Sequence, residues 1–274
     1  VKKVKNTKTR ILKIFAGLIA IILISGILFI TNAFAGNPIS AKIAEKTVNQ
    51  YVKENYSFLD LEVEKPIYNF KFNEYISKAK SRTSIDTKFN IYYRNGKVHH
   101  DNYESSVLKM FNTIERFSDE YTDLAKRIIA KELGYEKNNT RVMYDKTVYE
   151  NGKDALQLDM KFDKSLPIDT EVTIDIDAEN TSLEDIARIL IDAHKAFIKN
   201  NCYFKKYGLF IENDEILVMV NGVTSEDIES GDLVNMLQQA KDYKNDNVVE
   251  KGEEEKDWEE RMSVYIRDKN SKNN

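Results

Sequence analysis

Residues Ile14 to Ile30 form a run of seventeen broken only by Ala16, Gly17, Ala20, Ser25 and Gly26; the other twelve are Ile, Leu or Phe. A helix built from this run is apolar on every side, and a water-soluble fold would have to surround it completely. At about 0.3–0.6 kcal/mol per large apolar residue, transfer into a bilayer is favoured by roughly 4–7 kcal/mol. A rise of ~1.5 Å per residue makes the run ~26 Å long, and Thr31 to Phe34 extend it to the ~30 Å of a hydrocarbon layer. The run therefore predicts one membrane-spanning helix, with the lipid bilayer as its partner through residues 14–34. Lys2, Lys3, Lys5, Lys8, Arg10 and Lys13 precede it without an acidic residue among them. That cluster predicts a cytoplasmic N-terminus and a C-terminus outside a cell membrane. Ala33-Phe34-Ala35 also fits the small-x-small rule for a cleaved export signal, so secretion after cleavage near Ala35 is the alternative. The run is longer than the ~7–15 apolar residues usual in such signals, which favours an uncleaved anchor.

Without those six cations, 35 basic residues face 45 acidic ones, a net charge of −10 on the rest of the 274-residue chain. A body of that sign repels polyanions and excludes nucleic acid as a partner. Cys202 is the one cysteine, so neither an internal disulfide nor a CxxC zinc site is available. It reads as a small, half-buried residue following a helix.

After the run the pattern alternates between helix and strand. Asn37 and Pro38 open a helix with Ala41, Ala44, Val48, Tyr51 and Val52 on one side. Leu59, Leu61 and Val63 alternate with acids, Tyr75 to Ala79 is a second strand, and Ile85, Thr87, Phe89, Ile91 and Tyr93 share the face of a third. Asn95-Gly96 predicts a two-residue hairpin turn into a short strand, Val98 to Asp101. A long helix follows through Leu108, Phe111, Ile114, Phe117, Tyr121, Leu124 and Ile128, stopped by Gly134. Lys137 to Thr140 reads as a break. Beyond it, Leu156 to Phe162 and Val172 to Ala178 alternate as two strands, and Thr181 to Glu184 matches a capping box before a helix lined by Ile186, Leu190, Ala193 and Phe197. A hairpin across Asn213-Asp214, a helix through Leu233, Leu237 and Ala240, and a late strand at Met262, Val264 and Ile266 complete the pattern.

The class is α+β: one transmembrane helix, then helix–antiparallel meander–long helix, then ββαββα. The expected domains are 1–35, a basic tail and anchor; 36–136 and 140–245, two extracytoplasmic α+β domains; and 246–274, a charged tail with Glu253-Glu254-Glu255 at its centre.

Gly36-Asn37-Pro38, the helix with Tyr51 and Tyr56, Ser84-Ile85-Asp86-Thr87 with Phe89 and Ile91, and the turn Asn95-Gly96-Lys97 together resemble the YfjL-like proteins, small membrane-anchored proteins of low-GC Gram-positive bacteria. The resemblance covers roughly residues 36 to 133. It implies an address and a fold, and no reaction.

Candidate chemistry is sparse. His99-His100-Asp101 is the densest group of metal-ligating residue types, but neighbours on a strand point to opposite faces, so an exposed strand end is the expectation. His194 reads as a partly exposed helix residue. Asp159, Asp163, Asp175, Asp177 and Glu179 would share one sheet face if their two strands paired, and calcium suits such oxygens. Asp175 and Asp177, two apart, are the expected metal pair; no other cofactor and no catalytic residue is predicted. The functional expectation is a non-enzymatic binding or interaction module of the cell envelope, facing an unknown envelope protein or ligand. The alternative is an envelope enzyme or enzyme regulator whose site is built from scattered acidic and tyrosine residues.

Overall fold

The computed structural model describes residues 2–145, 155–246 and 261–269. The Glu253-Glu254-Glu255 run and the last five residues, both part of the expected charged tail, lie outside them. The chain divides into two compact units, residues 1–108 and 109–274.

In the first unit, α1 (Lys2–Ala35) carries the apolar run, and its Ile, Leu and Phe side chains from Ile11 onward are exposed throughout. It is the one helix, among the described residues, long and apolar enough to cross a membrane. Gly36 ends it with φ +74, donating from its backbone to Asn32 O at 3.1 Å. A Cβ at that position would stand 2.7 Å from the Tyr68 ring and 2.8 Å from the Tyr75 hydroxyl, so only glycine fits. Asn37 then caps α2 (Pro38–Asn55), its Oδ1 accepting from Ile39 N at 2.8 Å and Ser40 N at 3.3 Å.

The buried stripe of α2, Ala44, Val48 and Val52, lies over an antiparallel sheet. Its strands are β1 (Leu61–Val63), β2 (Ile67–Asn69), β3 (Glu74–Ser81), β4 (Lys88–Arg94) and β5 (Lys97–Asp101). The order is β1-β3-β4-β5, with β2 also paired to β3. Phe89, Ile91 and Tyr93 are buried on one face of β4, as their alternation predicts, and Thr87 is buried just ahead of the strand. Ile85 does not join them; it sits in the β3–β4 loop and is exposed. Asn95 (φ +52) and Gly96 (φ +86) make the expected hairpin turn, both residues in the left-handed region.

The second unit is larger. The long helix α3 (Phe111–Ile128) runs on through a π-helical turn, Ile129–Leu133, to Gly134 at φ +83. Sequence spacing places this helix in the first domain. Its buried face, Tyr121, Ala125, Ile128 and Ile129, instead belongs to the core of the second. The Lys137–Thr140 segment is likewise internal to that unit: Asn138 Nδ2 donates to Lys126 O at 3.2 Å and to Tyr135 O at 2.9 Å. Polar composition made it resemble a linker, yet the polar atoms are spent on capping.

The sheet of this unit has the order β10-β9-β8-β7-β6. Its strands are β6 (Arg141–Tyr144), β7 (Thr170–Ile176), β8 (Lys206–Glu212), β9 (Ile216–Thr224) and β10 (Ser263–Asp268). Neighbours are antiparallel except β7 and β8, which run parallel because α4 (Leu183–Lys199) carries the chain back between them. Ser182, rather than Thr181, caps α4, accepting from Asp185 N at 3.1 Å. Two further helices follow, α5 (Ser225–Glu229) and α6 (Leu233–Asp246).

Leu156 to Phe162 is not a strand. Asp159 has φ +62, and this irregular stretch packs Leu156 against Ile114 and Phe117 of α3, with Met160 and Phe162 beside them. Arg116 fixes it by donating to Met160 O at 2.8 Å. Alternating apolar residues here serve a loop laid on a helix, and β6 takes the sheet position beside β7.

Candidate functional site

In β5 the register slips: Tyr92 pairs with His100 and Tyr93 with Val98, leaving His99 as the extra residue of a β-bulge. The bulge cancels the ordinary alternation, so the adjacent imidazoles meet, contrary to expectation. Their Nδ1 atoms lie 2.8 Å apart, and the His100 ring stacks on Tyr92 at 4.1 Å and 11°. His99 Nε2 lies 3.0 Å from Oε2 of Glu74, a carboxylate 6% exposed at the start of β3. One proton arrangement satisfies every contact with both rings neutral. His99 donates from Nε2 to the carboxylate, and His100 donates from Nδ1 to His99 Nδ1.

Asp101, the third member of the sequence cluster, faces elsewhere. Its Oδ2 accepts from the hydroxyls of Tyr51 (2.5 Å) and Tyr56 (2.8 Å), and its Oδ1 accepts from Tyr103 N (2.9 Å). Both tyrosines come from the end of α2, so the carboxylate ties that helix to β5. Burial, and then the adjacent carboxylate, push the Tyr51 hydroxyl up to about 12 and that of Tyr56 higher still. Neither is an activated nucleophile; both are donors held protonated.

In the second unit His194 is buried, not partly exposed. Its Nδ1 lies 2.8 Å from the Tyr207 hydroxyl and its Nε2 3.2 Å from Glu229 Oε1, joining α4 to β8 and α5. Burial also raises the Tyr207 hydroxyl, with the Glu229 charge adding to it. Cys202 is fully buried and its thiol is pushed up by desolvation, which makes it inert packing rather than a reactive group.

The acidic face predicted from alternation does not assemble. Asp163 sits in a turn, accepting from Ser165 N at 2.9 Å and Ser165 Oγ at 2.7 Å, while Asp159 lies in the irregular loop. Asp175 is on β7 and Asp177 just past its end, with Glu179 beyond. Among the described residues no group of three or more His, Cys, Asp or Glu is placed to hold a metal ion. The strand that would have brought the other acids to Asp175 and Asp177 is a loop. Burial raises the Asp175 carboxyl above its ordinary range, against the partial offset of Arg141.

An open groove of about 430 Å³ runs along α4, opposite the π-helical turn. Leu133, Tyr135 and Ile189 give it an apolar lining, and Arg188, Asp192 and Lys195 alternate in charge along its side. Lys199 crosses to Glu132 at 2.6 Å. Sequence reading missed this groove, the bulge and Glu74. The groove forms only once α3 moves to the second unit, and a bulge leaves no trace in residue type.

Two family models match the chain: the YfjL-like N-terminal domain over residues 11–102 and the YfjL-like C-terminal domain over residues 120–238. The likeness thus extends well past the first half that suggested it. The chain is also similar to "Uncharacterized protein YfjL" of Bacillus subtilis (strain 168), 26% identical over 180 residues, or 65% of this chain and 75% of that one. No solved structure matches.

Proposed function

The chain belongs to the YfjL-like family, whose matched descriptions name no reaction, and we propose from its own build that it is a single-pass, membrane-anchored binding module of the cell envelope. The observation that carries this is the joint between α1 and the first unit. An apolar helix with no buried side in its spanning window runs without a linker into Gly36 and Asn37, and both are locked into the fold. The Tyr75 hydroxyl accepts from Asn37 N at 2.8 Å and donates to Asn37 O at 2.9 Å. The bond after Ala35 lies at a helix end packed on the sheet, and cutting such a site requires the backbone to open first. This supports retention of α1 over its removal. The basic residues ahead of Ile14 support an inward N-terminus and an outward body.

Binding rather than catalysis is supported by where the polar groups are spent. Asp101, Tyr51, Tyr56, His194 and Tyr207 all bond within the fold, and the groove beside α4 offers alternating charge over an apolar lining, which suits a peptide segment. The address is tested by a compartment-specific reporter fused after Asn274; activity inside the cell overturns it. Retention is tested by a high-salt wash of membranes followed by N-terminal peptide sequencing; a mature chain starting at Gly36 overturns it. For the groove, Arg188→Glu with Lys195→Glu should weaken cross-linking to envelope proteins while leaving the melting temperature unchanged; undiminished cross-linking removes the groove from the reading.

A further inference from the structure

The β2–β3 turn carries Phe70, Lys71 and Phe72, and both aromatic rings are more than half exposed, at 53% and 63%. Such rings are out of place on a surface facing water, and paired exposed aromatics mark a contact. The turn is not loose. Asn69 Oδ1 accepts from Lys71 N at 3.2 Å, and Tyr68 donates its hydroxyl to Asn73 Oδ1 at 2.8 Å. The Phe70 ring lies 5.7 Å from the ring of Phe34, which is itself 64% exposed at the end of α1. Phe34 is twenty residues beyond Ile14, or ~30 Å along the helix, the thickness of a hydrocarbon layer. The tip therefore stands at the depth where the spanning helix leaves the lipid. Ile39, in the first turn of α2, adds a further exposed apolar group just past that exit.

The strand register brings a second turn to this end of the sheet. Tyr75 pairs with Tyr93 and Arg94 with Lys97, so the β4–β5 turn lies at the same end as the start of β3. Arg94 and Lys97 are exposed there, as is Lys71 on the tip. Glu74, which follows the tip, is buried against His99.

We infer that the Phe70–Phe72 tip is a second, shallow membrane contact, seated in the headgroup layer of the bilayer that α1 crosses, with Lys71, Arg94 and Lys97 directed at lipid phosphates. The inference rests on the anchoring reading above. Its occupant follows from continuity: the aromatic tip extends the apolar surface of α1 sideways at the boundary, and amphipathic segments with aromatic and basic residues seat ~5–10 Å into that layer. The joint at Gly36 and Asn37 holds the tip in register with the helix, so both contacts form together. The contact sets how the first unit stands on the surface.

The test uses the full chain with its one tryptophan removed by Trp258→Phe, reconstituted into phosphatidylcholine vesicles with brominated acyl chains, with and without phosphatidylglycerol. Single tryptophans are introduced by Phe70→Trp, Phe72→Trp, Ile22→Trp in the span, and Ile85→Trp in the loop at the opposite end of the sheet. The expected result is loss of emission at positions 70, 72 and 22, and none at 85. Emission at 70 and 72 as bright as at 85, with 22 quenched, overturns the tip contact and leaves the anchor standing. An unquenched tryptophan at 22 overturns both. Phosphatidylglycerol should increase quenching at 70 and 72, and Lys71→Gln with Arg94→Gln and Lys97→Gln should abolish that increase. An increase that survives the triple substitution overturns the assignment of these cations to phosphates.

Discussion

The two units hold their helices to their sheets by different means. In the first, α2 buries a narrow stripe of Ala44, Val48 and Val52, and its far end is pinned by two hydroxyls on one carboxylate, Asp101. In the second, α4 buries Ile186, Ala187, Ile189, Leu190, Ala193, Ala196 and Phe197 in one core, with a polar chain through His194 reaching the sheet. A small unit with little apolar area per helix gains from directional bonds that a larger core can do without. The difference teaches where each unit is vulnerable: the second to lost volume, the first to a lost acceptor.

The largest expected effect tests the apolar side. Phe197 is fully buried, and Phe197→Ala should destabilise the second unit by about 3–5 kcal/mol. Hydrogen exchange of β7 and β8 reads that change directly; protection that is unaltered would mean the core does not depend on this ring. Next, Asp101→Ala should destabilise the first unit by about 1.5–3 kcal/mol, since hydrogen bonds to a charged acceptor are lost. Denaturant unfolding that shows no change would dissolve the contrast between the units. Third, Tyr207→Phe removes one partner of His194 and should cost about 1 kcal/mol, less than Asp101→Ala. An equal or larger loss would show that the second unit also leans on polar bonds.

A pH profile sharpens the first unit's side. Tyr51 and Tyr56 are protonated in the fold beyond the ordinary tyrosine range. The unfolded chain therefore ionises first, so their contribution is whole below ~10 and is lost as pH rises toward the folded values. Stability of the first unit should fall above ~10, and Tyr51→Phe with Tyr56→Phe should flatten that part of the fall. The smallest effect concerns Asp175. Its raised carboxyl means that the ionised form disfavours the fold, so the unit loses stability as pH rises through the carboxylate range. Asp175→Asn should raise the melting temperature slightly at neutral pH. Calcium should leave that temperature unmoved, because among the described residues no group of three or more acids or other ligands is placed to hold an ion; a calcium-dependent rise abolished by Asp175→Asn would restore the metal reading.

Much of the fold was legible where pattern and local chemistry agree. The Asn37–Pro38 helix start, the Asn95–Gly96 turn, the face of Phe89, Ile91 and Tyr93, and the late strand at Val264 all follow from rules acting within a few residues. The failures arise where a distant partner decides. Leu156 to Phe162 has a strand's alternation, but α3 supplies the surface it packs on, and nothing local announces that. Neighbours in sequence place the long helix in the first domain, whereas its buried face answers to a sheet that comes later in the chain. At the candidate site the residue types His99, His100 and Asp101 were visible, while the one-residue slip that reunites the two imidazoles and the helix that captures Asp101 were not.

The lock at Gly36 and Asn37 has a mechanical consequence. A flexible tether would let the first unit sample a hemisphere around its exit point, diluting it through that volume. A joint fixed by Tyr68 and Tyr75 removes that freedom, so in the proposed anchored state any tilt or rotation of the helix would be passed to the first unit's sheet as a rigid lever. In the proposed anchored state the first unit's height above the membrane would be set in advance, and bilayer thickness would become a variable that moves it.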